Sequence, residues 1–317
     1  MKVDFPVLLA PLAGITDYPF RRLALEFGAG LVVTEMLASQ AMIRRNQKSL
    51  LMTSSLGQEQ ALAQISGANP QIMAETARFL QDMGAMGIDI NMGCPQPKVV
   101  KTCAGAALMQ DERLAGRIME EVRKAVGIPL SVKMRLGWDM NSINALNISR
   151  IAQESGVDFI TIHARTRSQM FSGRAQWKLI RPIKEAIKIP VIANGDITDL
   201  KSATECLLVS GANGLMIGRA ALGRPWLFAG LKAYFDTGDI TPPMTIGQQR
   251  EVVMRHLQAL LDFYGMPTAV WMARKHLAWY SKGLRNAAGF RDRINRIEDW
   301  QELLFAVQTF YEALEEI

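Results

Sequence analysis

Eight short apolar, β-branched segments recur along the chain, and their spacing constrains the fold more than any other feature. They are Val7–Pro11, Gly30–Met36, Ala61–Gly67, Gly87–Gly93, Pro129–Arg135, Phe159–Arg165, Pro190–Asp196 and Gly214–Ala220. Their starts lie 23 to 42 residues apart, and the stretches between them carry helical apolar spacing, as in Met73, Ala77, Leu80 and Met83. Several segments are entered through glycine, where a helix end must turn back toward a strand. Two are entered through Ile-Pro, at Ile128-Pro129 and Ile189-Pro190, where proline suits the first strand position. Nearly continuous apolar strands fit a sheet covered on both faces. The pattern predicts a (β/α)8 TIM barrel, with a doubly wound open sheet as the structural alternative. Such a barrel uses about 250 residues, fewer than the 317 present.

The remainder reads as a small C-terminal helical bundle. Asp236–Met244 (DTGDITPPM) is a linker, because its adjacent prolines suit neither a helix interior nor a central strand. Beyond it Thr245 and Gln248 form a capping box, with Val252, Val253, Leu257, Leu260 and Leu261 at helical spacing and Gly265 closing the helix. A second helix is expected over about 268–282 and a last one from about Glu298. We therefore divide the chain into 1–240 and 241–317.

Composition excludes several classes. Half the residues are hydrophobic (49 %), too many for a disordered chain. No apolar run approaches the roughly 20 residues that cross a bilayer, and the first residues lack a secretory signal's apolar stretch. Neither membrane association nor export is expected. Three cysteines, Cys94, Cys103 and Cys206, are too few for a disulfide framework, so a reducing cytoplasm fits. A metal is not expected, because His163, His256 and His276 are far apart in sequence and neither Cys94 nor Cys103 has a partner at zinc spacing.

In barrels of this kind the active site lies at the C-terminal strand ends, and the polar residues gather there. The ends are Pro11-Leu12-Ala13-Gly14, Gln64-Ile65-Ser66-Gly67, Asn91-Met92-Gly93-Cys94-Pro95, Lys133-Met134-Arg135, His163-Ala164-Arg165, Asn194-Gly195-Asp196 and Gly218-Arg219. The last two favour a phosphate: glycine admits close backbone approach and Arg219 offers a charge-assisted contact. Lys133 and Gln64 suit the polar edge of a flat ring system. Cys94 follows a strand, with Lys98 and Lys101 close by, and thiols poised near cations suit general acid work. Cys206 lies in an apolar helical stretch and reads as a small hydrophobe.

The charge is unevenly spread. The net +6 resolves into +6 up to residue 249, +6 over 250–296, and −6 over 297–317. Arg274, Lys275, His276 and Lys282 share a short segment with Trp271, Trp279 and Tyr280. Cations interleaved with flat rings are what nucleic acid demands.

Together these segments resemble the tRNA-dihydrouridine synthases, most closely the bacterial B type. The likeness runs from Ala10-Pro11-Leu12-Ala13-Gly14-Ile15-Thr16-Asp17, through Asp89-Ile90-Asn91-Met92-Gly93-Cys94-Pro95 and His163-Ala164-Arg165-Thr166-Arg167, to Arg274-Lys275-His276-Leu277. One departure is Leu12, where the family commonly has methionine. The resemblance implies an FMN-binding catalytic barrel (1–240) joined to a tRNA-binding helical domain (241–317), reducing the C5–C6 double bond of chosen uridines with NADPH. It implies Cys94 as general acid, and FMN held by Pro11, Leu12, Ala13, Gln64, Lys133, His163, Asn194, Gly195, Asp196, Gly218 and Arg219. Asn91, Arg135, Arg165, Arg274, Lys275 and Lys282 are the expected tRNA-side residues, and a monomer is expected. Two other classes remain open at this point. An FMN enzyme acting on a free pyrimidine, like dihydroorotate dehydrogenase, would not need the basic aromatic helix. A non-enzymatic tRNA-folding factor would need neither Cys94 nor the strand-end cluster.

Overall fold

The computed structural model describes residues 7–43 and 51–315. Eight parallel strands carry the eight apolar segments: β1 Val7–Leu9, β2 Leu31–Val33, β3 Ala61–Ser66, β4 Gly87–Met92, β5 Leu130–Arg135, β6 Phe159–His163, β7 Val191–Asn194 and β8 Gly214–Ile217. Each pairs with the next, and Leu8↔Met216 returns β8 to β1, so the sheet closes. Closure removes every edge and decides for the barrel over an open sheet. The segment expected over Gly30–Met36 is broken after Val33; Leu37–Ala38 forms a separate two-residue pairing with Ile65 and Ser66.

Side chains alternate across each strand. Val7, Leu9, Ile88, Ile90, Val132 and Ile160 face the helices and join the large outer core. Leu8, Leu31, Val33, Leu62, Phe159, Ile192 and Met216 form a separate apolar plug inside the barrel. Further along the same inward faces, the residue type turns polar, giving Gln64, Asn91, Lys133, His163 and Asn194. A floor of hydrocarbon therefore lies beneath a polar mouth.

The loops above this mouth run into helices α1 Tyr18–Glu26, α2 Ser39–Ile43, α3 Pro70–Asp82, α4 Pro97–Val100, α5 Glu112–Ala125, α6 Ala145–Glu154, α7 Arg181–Ala186, α8 Leu200–Ser210 and α9 Leu227–Thr237. Asp17, Asn69, Asp111 and Asp199 cap four of them, each accepting a first-turn amide at 2.8 to 3.1 Å. Such caps satisfy donors that a helix start leaves open.

After α9 come α10 Ile246–Tyr264, α11 Thr268–Tyr280, α12 Ala287–Ile294 and α13 Trp300–Glu315. The Thr245–Gln248 capping box forms as expected, and Gly265 closes α10. The expected linker begins inside α9, which continues to Thr237. These four helices build their own apolar core, including Val253, Leu257, Leu277, Leu303, Val307 and Phe310. No helix among the described residues is long and apolar enough to cross a membrane.

Candidate active site

A cavity of about 1700 Å³ opens at the C-terminal mouth of the barrel and reaches Trp279, Tyr280 and Lys282 of the helical region. The structure brings Pro11, Leu12, Ala13, Gln64, Asn91, Cys94, Lys133, Arg135, His163, Asn194, Gly195, Asp196, Gly218, Arg219 and Lys282 to its wall. Fifteen residues read from the sequence as site residues thus converge on one space. A single-ligand pocket usually measures about 300–1,000 Å³, so this cavity has room for more than one small group.

The wall beneath Cys94 is a chain of hydrogen bonds between inward-facing strand residues. Asp89 accepts from Ser131 Oγ at 2.6 Å and from Gln64 Nε2 at 2.7 Å. Gln64 Oε1 accepts from Asn91 Nδ2 at 2.8 Å. Asn91 Oδ1 then accepts the Gly93 and Cys94 amides at 3.1 and 2.9 Å. Each link fixes the next amide orientation, because an amide side chain offers one accepting and one donating end. Cys94 is half-buried and lines the cavity.

Lys133 stands beside this chain and donates to Asn194 Oδ1 at 3.1 Å, while Asn194 Nδ2 donates to the Met216 carbonyl at 2.7 Å. Burial pushes the Lys133 amine down to about 8, with the Arg135 charge adding to the effect. His163 is held well below its ordinary value by burial and by Lys133, Arg135, Arg165 and Arg219, so its ring is neutral. Burial pushes the Asp89 carboxyl up.

Two buried arginines hold the loop that follows β6. Arg135 donates to the Gly93 carbonyl at 2.8 Å and to the carbonyls of Thr166 and Met170 at 2.7 and 2.9 Å. Arg165 donates to the carbonyls of Ser172 and Gly173 at 3.2 and 2.7 Å and pairs with Asp196 at 2.6 Å. Both are only 2 % exposed. Burial opposes ionisation of Asp196, but the Arg165 bond, the Ala175 amide and the Arg219 charge together keep its carboxyl below the ordinary range. Arg219 reaches Asp196 loosely, at 3.6 Å, and remains half-exposed.

Arg274 lies away from the cavity and is not among its lining residues; its guanidinium donates to the Ile297 carbonyl. Lys275 also lies outside the wall and crosses to the barrel, its Nζ donating to the Gly14 carbonyl at 3.0 Å. Two residues went unread in the sequence. Phe171 stands 48 % exposed at the cavity, with the Arg219 guanidinium 4.8 Å from its ring centre; an aromatic in the polar loop Ser168–Gly173 was the available signal. Gly105 has φ 61°, and a Cβ there would lie 2.8 Å from the Cys94 carbonyl oxygen. The histidines far apart in sequence are not all far apart in space, since His256 and His276 meet Asp17 in the interior.

A closed parallel barrel whose strand ends carry a thiol, a half-buried lysine and an arginine around one large cavity is a (β/α)8-barrel enzyme. The sequence profile described as Dihydrouridine synthase (Dus) matches residues 8–316. The chain belongs to that family. It is 48 % identical over 301 residues to a probable tRNA-dihydrouridine synthase of Rickettsia bellii, covering 94 % of this chain and 92 % of the relative. It is 44 % identical to the tRNA-dihydrouridine synthase B of Xanthomonas axonopodis pv. citri, covering 97 % and 93 %. Among solved structures, the old yellow enzyme homologue of Zymomonas mobilis shares the fold at 13 % identity (TM-score 0.52), covering 78 % of this chain and 96 % of that one.

Proposed function

We propose that the protein reduces the C5–C6 double bond of uridines in tRNA, with FMN bound in the barrel mouth and NADPH as the hydride source. The observation that carries this reading is the convergence of Cys94, Lys133 and Arg219 on one cavity large enough for a flavin and a flipped base. The residues fit the cofactor. Lys133 is a half-buried cation whose hydrogen bond to Asn194 leaves donors free for a ligand. At Gly218 a Cβ would meet nothing nearer than Ala10 at 3.7 Å, so that backbone is open to a phosphate, with Arg219 next to it. When bound, FMN supplies two-electron hydride chemistry.

Pro11, Leu12, Ala13, Gln64, Lys133 and His163 would hold the ring, while Asn194, Gly195, Asp196, Gly218 and Arg219 would hold the phosphate end. Neutral His163 offers a hydrogen bond without adding charge. Cys94 would give its thiol proton to C5 as the hydride reaches C6, and the thiolate regains a proton from solvent. A base inside folded RNA must leave its stack to reach a site this deep, and Phe171 at the mouth presents a ring for it. Arg135 and Arg165 would act on tRNA through the loop they hold, because both are buried. Lys275 and Lys282 are exposed and suit phosphate contacts. The helical region 241–317 would be the tRNA-binding part, and the protein would work in the cytoplasm as a monomer.

The test is purified protein with FMN, NADPH and unmodified tRNA, read by mass spectrometry of nucleosides. Dihydrouridine from the wild type and none from Cys94→Ala, which still binds FMN, is the expected pair of results. Undiminished product from Cys94→Ala would remove Cys94 from the mechanism. Reduction of free uridine but not tRNA would favour the free-pyrimidine reading.

A further inference from the structure

A second constellation lies buried where the helical region meets the barrel. Asp17 comes from the loop before α1, His256 from α10 and His276 from α11, and they are 3, 2 and 1 % exposed. One ligand atom from each lies within 4.8 Å of the other two. His276 Nδ1 and Nε2 and His256 Nε2 have no hydrogen-bond partner among the described residues. Buried polar atoms are seldom left so, since each costs about 1–3 kcal/mol when unsatisfied. A cation placed among the three side chains would take one nitrogen from each ring and so occupy two of the three orphaned nitrogens, beside a carboxyl group that forms no ion pair among the described residues.

We propose that Asp17, His256 and His276 bind a divalent transition-metal ion of the zinc class, which clips the helical region to the barrel. Two imidazoles and a carboxylate are a donor set that such ions take. A tetrahedral zinc ion with bonds of about 2.1 Å holds its ligand atoms roughly 3.4 Å apart, somewhat closer than the 4.8 Å within which these atoms lie. The surroundings already orient the ligands. Tyr280 lies 3.1 Å from His256 Nδ1, which leaves Nε2 to face the cluster. Tyr264 donates to Asp17 Oδ2 at 3.0 Å, and Phe20 stacks on His276 with ring centres 5.5 Å apart. Hydrogen-bond partners such as Tyr280 and Tyr264 orient ligands in metal sites, while the Phe20 ring packs on that of His276. Asp17 also ends the loop that begins at Pro11 on the cavity wall, so the clip sets that loop against α10 and α11.

The test uses the full chain, purified untagged, freed of nucleic acid and never exposed to chelator. Elemental analysis should find about one zinc-class ion per chain. Stripping with dipicolinate should lower Tm, and added Zn²⁺ should restore it. Reloading with Co²⁺ should give visible d–d bands without the near-ultraviolet thiolate charge-transfer band, placing the ion on nitrogen and oxygen. His256→Gln and His276→Gln should lose the ion. The proposal fails if the protein carries no ion and neither Zn²⁺ nor Co²⁺ shifts its Tm. It fails equally if a thiolate band appears, or if a folded variant keeps its metal. Should the variants not fold, the wild-type Co²⁺ spectrum and the Zn²⁺-dependent Tm still decide. Metal content and Tm are read without substrate, so this outcome is independent of the assigned reaction.

Discussion

Asn91 Oδ1 accepts the Cys94 amide at 2.9 Å while Asn91 Nδ2 donates to Gln64 at 2.8 Å. One side chain thus couples the thiol-bearing loop to the polar layer inside the barrel. Asn91→Ala removes both bonds and leaves the Cys94 and Gly93 amides without that acceptor. We expect dihydrouridine formation to fall at least tenfold, an effect of thiol misplacement, with stability reduced by about 1–3 kcal/mol. FMN affinity should change little. Asn91→Asp still accepts from the loop but no longer donates to Gln64, so it should recover part of the rate. Single-turnover kinetics on unmodified tRNA check this, and full activity in Asn91→Ala would refute the coupling.

Gly105 supports the same loop from the other side. Its φ of 61° lies in the left-handed region, and the Ala106 amide donates to the Cys94 carbonyl at 3.0 Å. A Cβ at 105 would sit 2.8 Å from that oxygen and 3.2 Å from Cys94 Cβ. Gly105→Ala should cost about 1–2 kcal/mol from backbone strain alone, and the loop must also shift. The expected signature is a lowered kcat with FMN titrating normally. A wild-type kcat in a folded Gly105→Ala protein would show that the loop tolerates the displacement.

How much of this was legible beforehand follows from physical range. Strands β1 to β8 were readable because continuous apolar, β-branched runs and glycine or proline punctuation are local signals. The strand-end residues were readable because a barrel sends every strand's C-terminal end to the same mouth, so position along a strand fixes position in space. Helix α12 was not read: it spans only Ala287–Ile294, and its cap, Asn286, makes no side-chain bond to the first turn. Arg274 and Arg135 were both read as tRNA-side cations, yet each spends its guanidinium on main-chain carbonyls. Charge is visible in sequence, whereas burial of that charge depends on which loop packs over it. His256 and His276 illustrate the same limit, for 20 residues of separation say nothing about two packed helices whose histidine rings meet 4.4 Å apart.

Lys133 gives a pH dependence with a definite sign. Burial lowers its amine to about 8, against about 10.4 in an unfolded chain. Below about 8 the group is charged and able to meet an anionic ligand; above it the charge is lost. An anionic ligand stabilises the charged form, so binding takes up a proton there. FMN affinity should therefore be flat just above neutrality and fall by up to about tenfold per pH unit beyond about pH 8. The depressed value also means that folding stability attributable to this lysine declines as pH falls from about 10.4 toward 8. Fluorescence titration of apoprotein with FMN, from about pH 7 to about pH 9.5, measures the first effect. Lys133→Met should abolish the slope; an unchanged slope in that variant would assign it to another group.

Salt dependence separates the exposed cations from the structural ones. Each phosphate contact contributes about 0.7–0.9 to the slope of log affinity against log salt, through release of condensed counterions. Lys282 is exposed at the cavity rim and Lys275 is exposed with one bond to Gly14. Replacing either with alanine should lower the slope for tRNA by roughly that amount and leave Tm nearly unchanged, as surface substitutions usually do within about 0.5 kcal/mol. Arg274→Ala should behave the other way. It removes the donor to Ile297 that ties α11 to the segment before α13, so Tm should fall while the slope stays at the wild-type value. Filter binding across a salt series, paired with thermal melts of each variant, makes the comparison. A slope that drops in Arg274→Ala but holds in Lys275→Ala and Lys282→Ala would reverse the assignment and place the tRNA on the opposite face of α11.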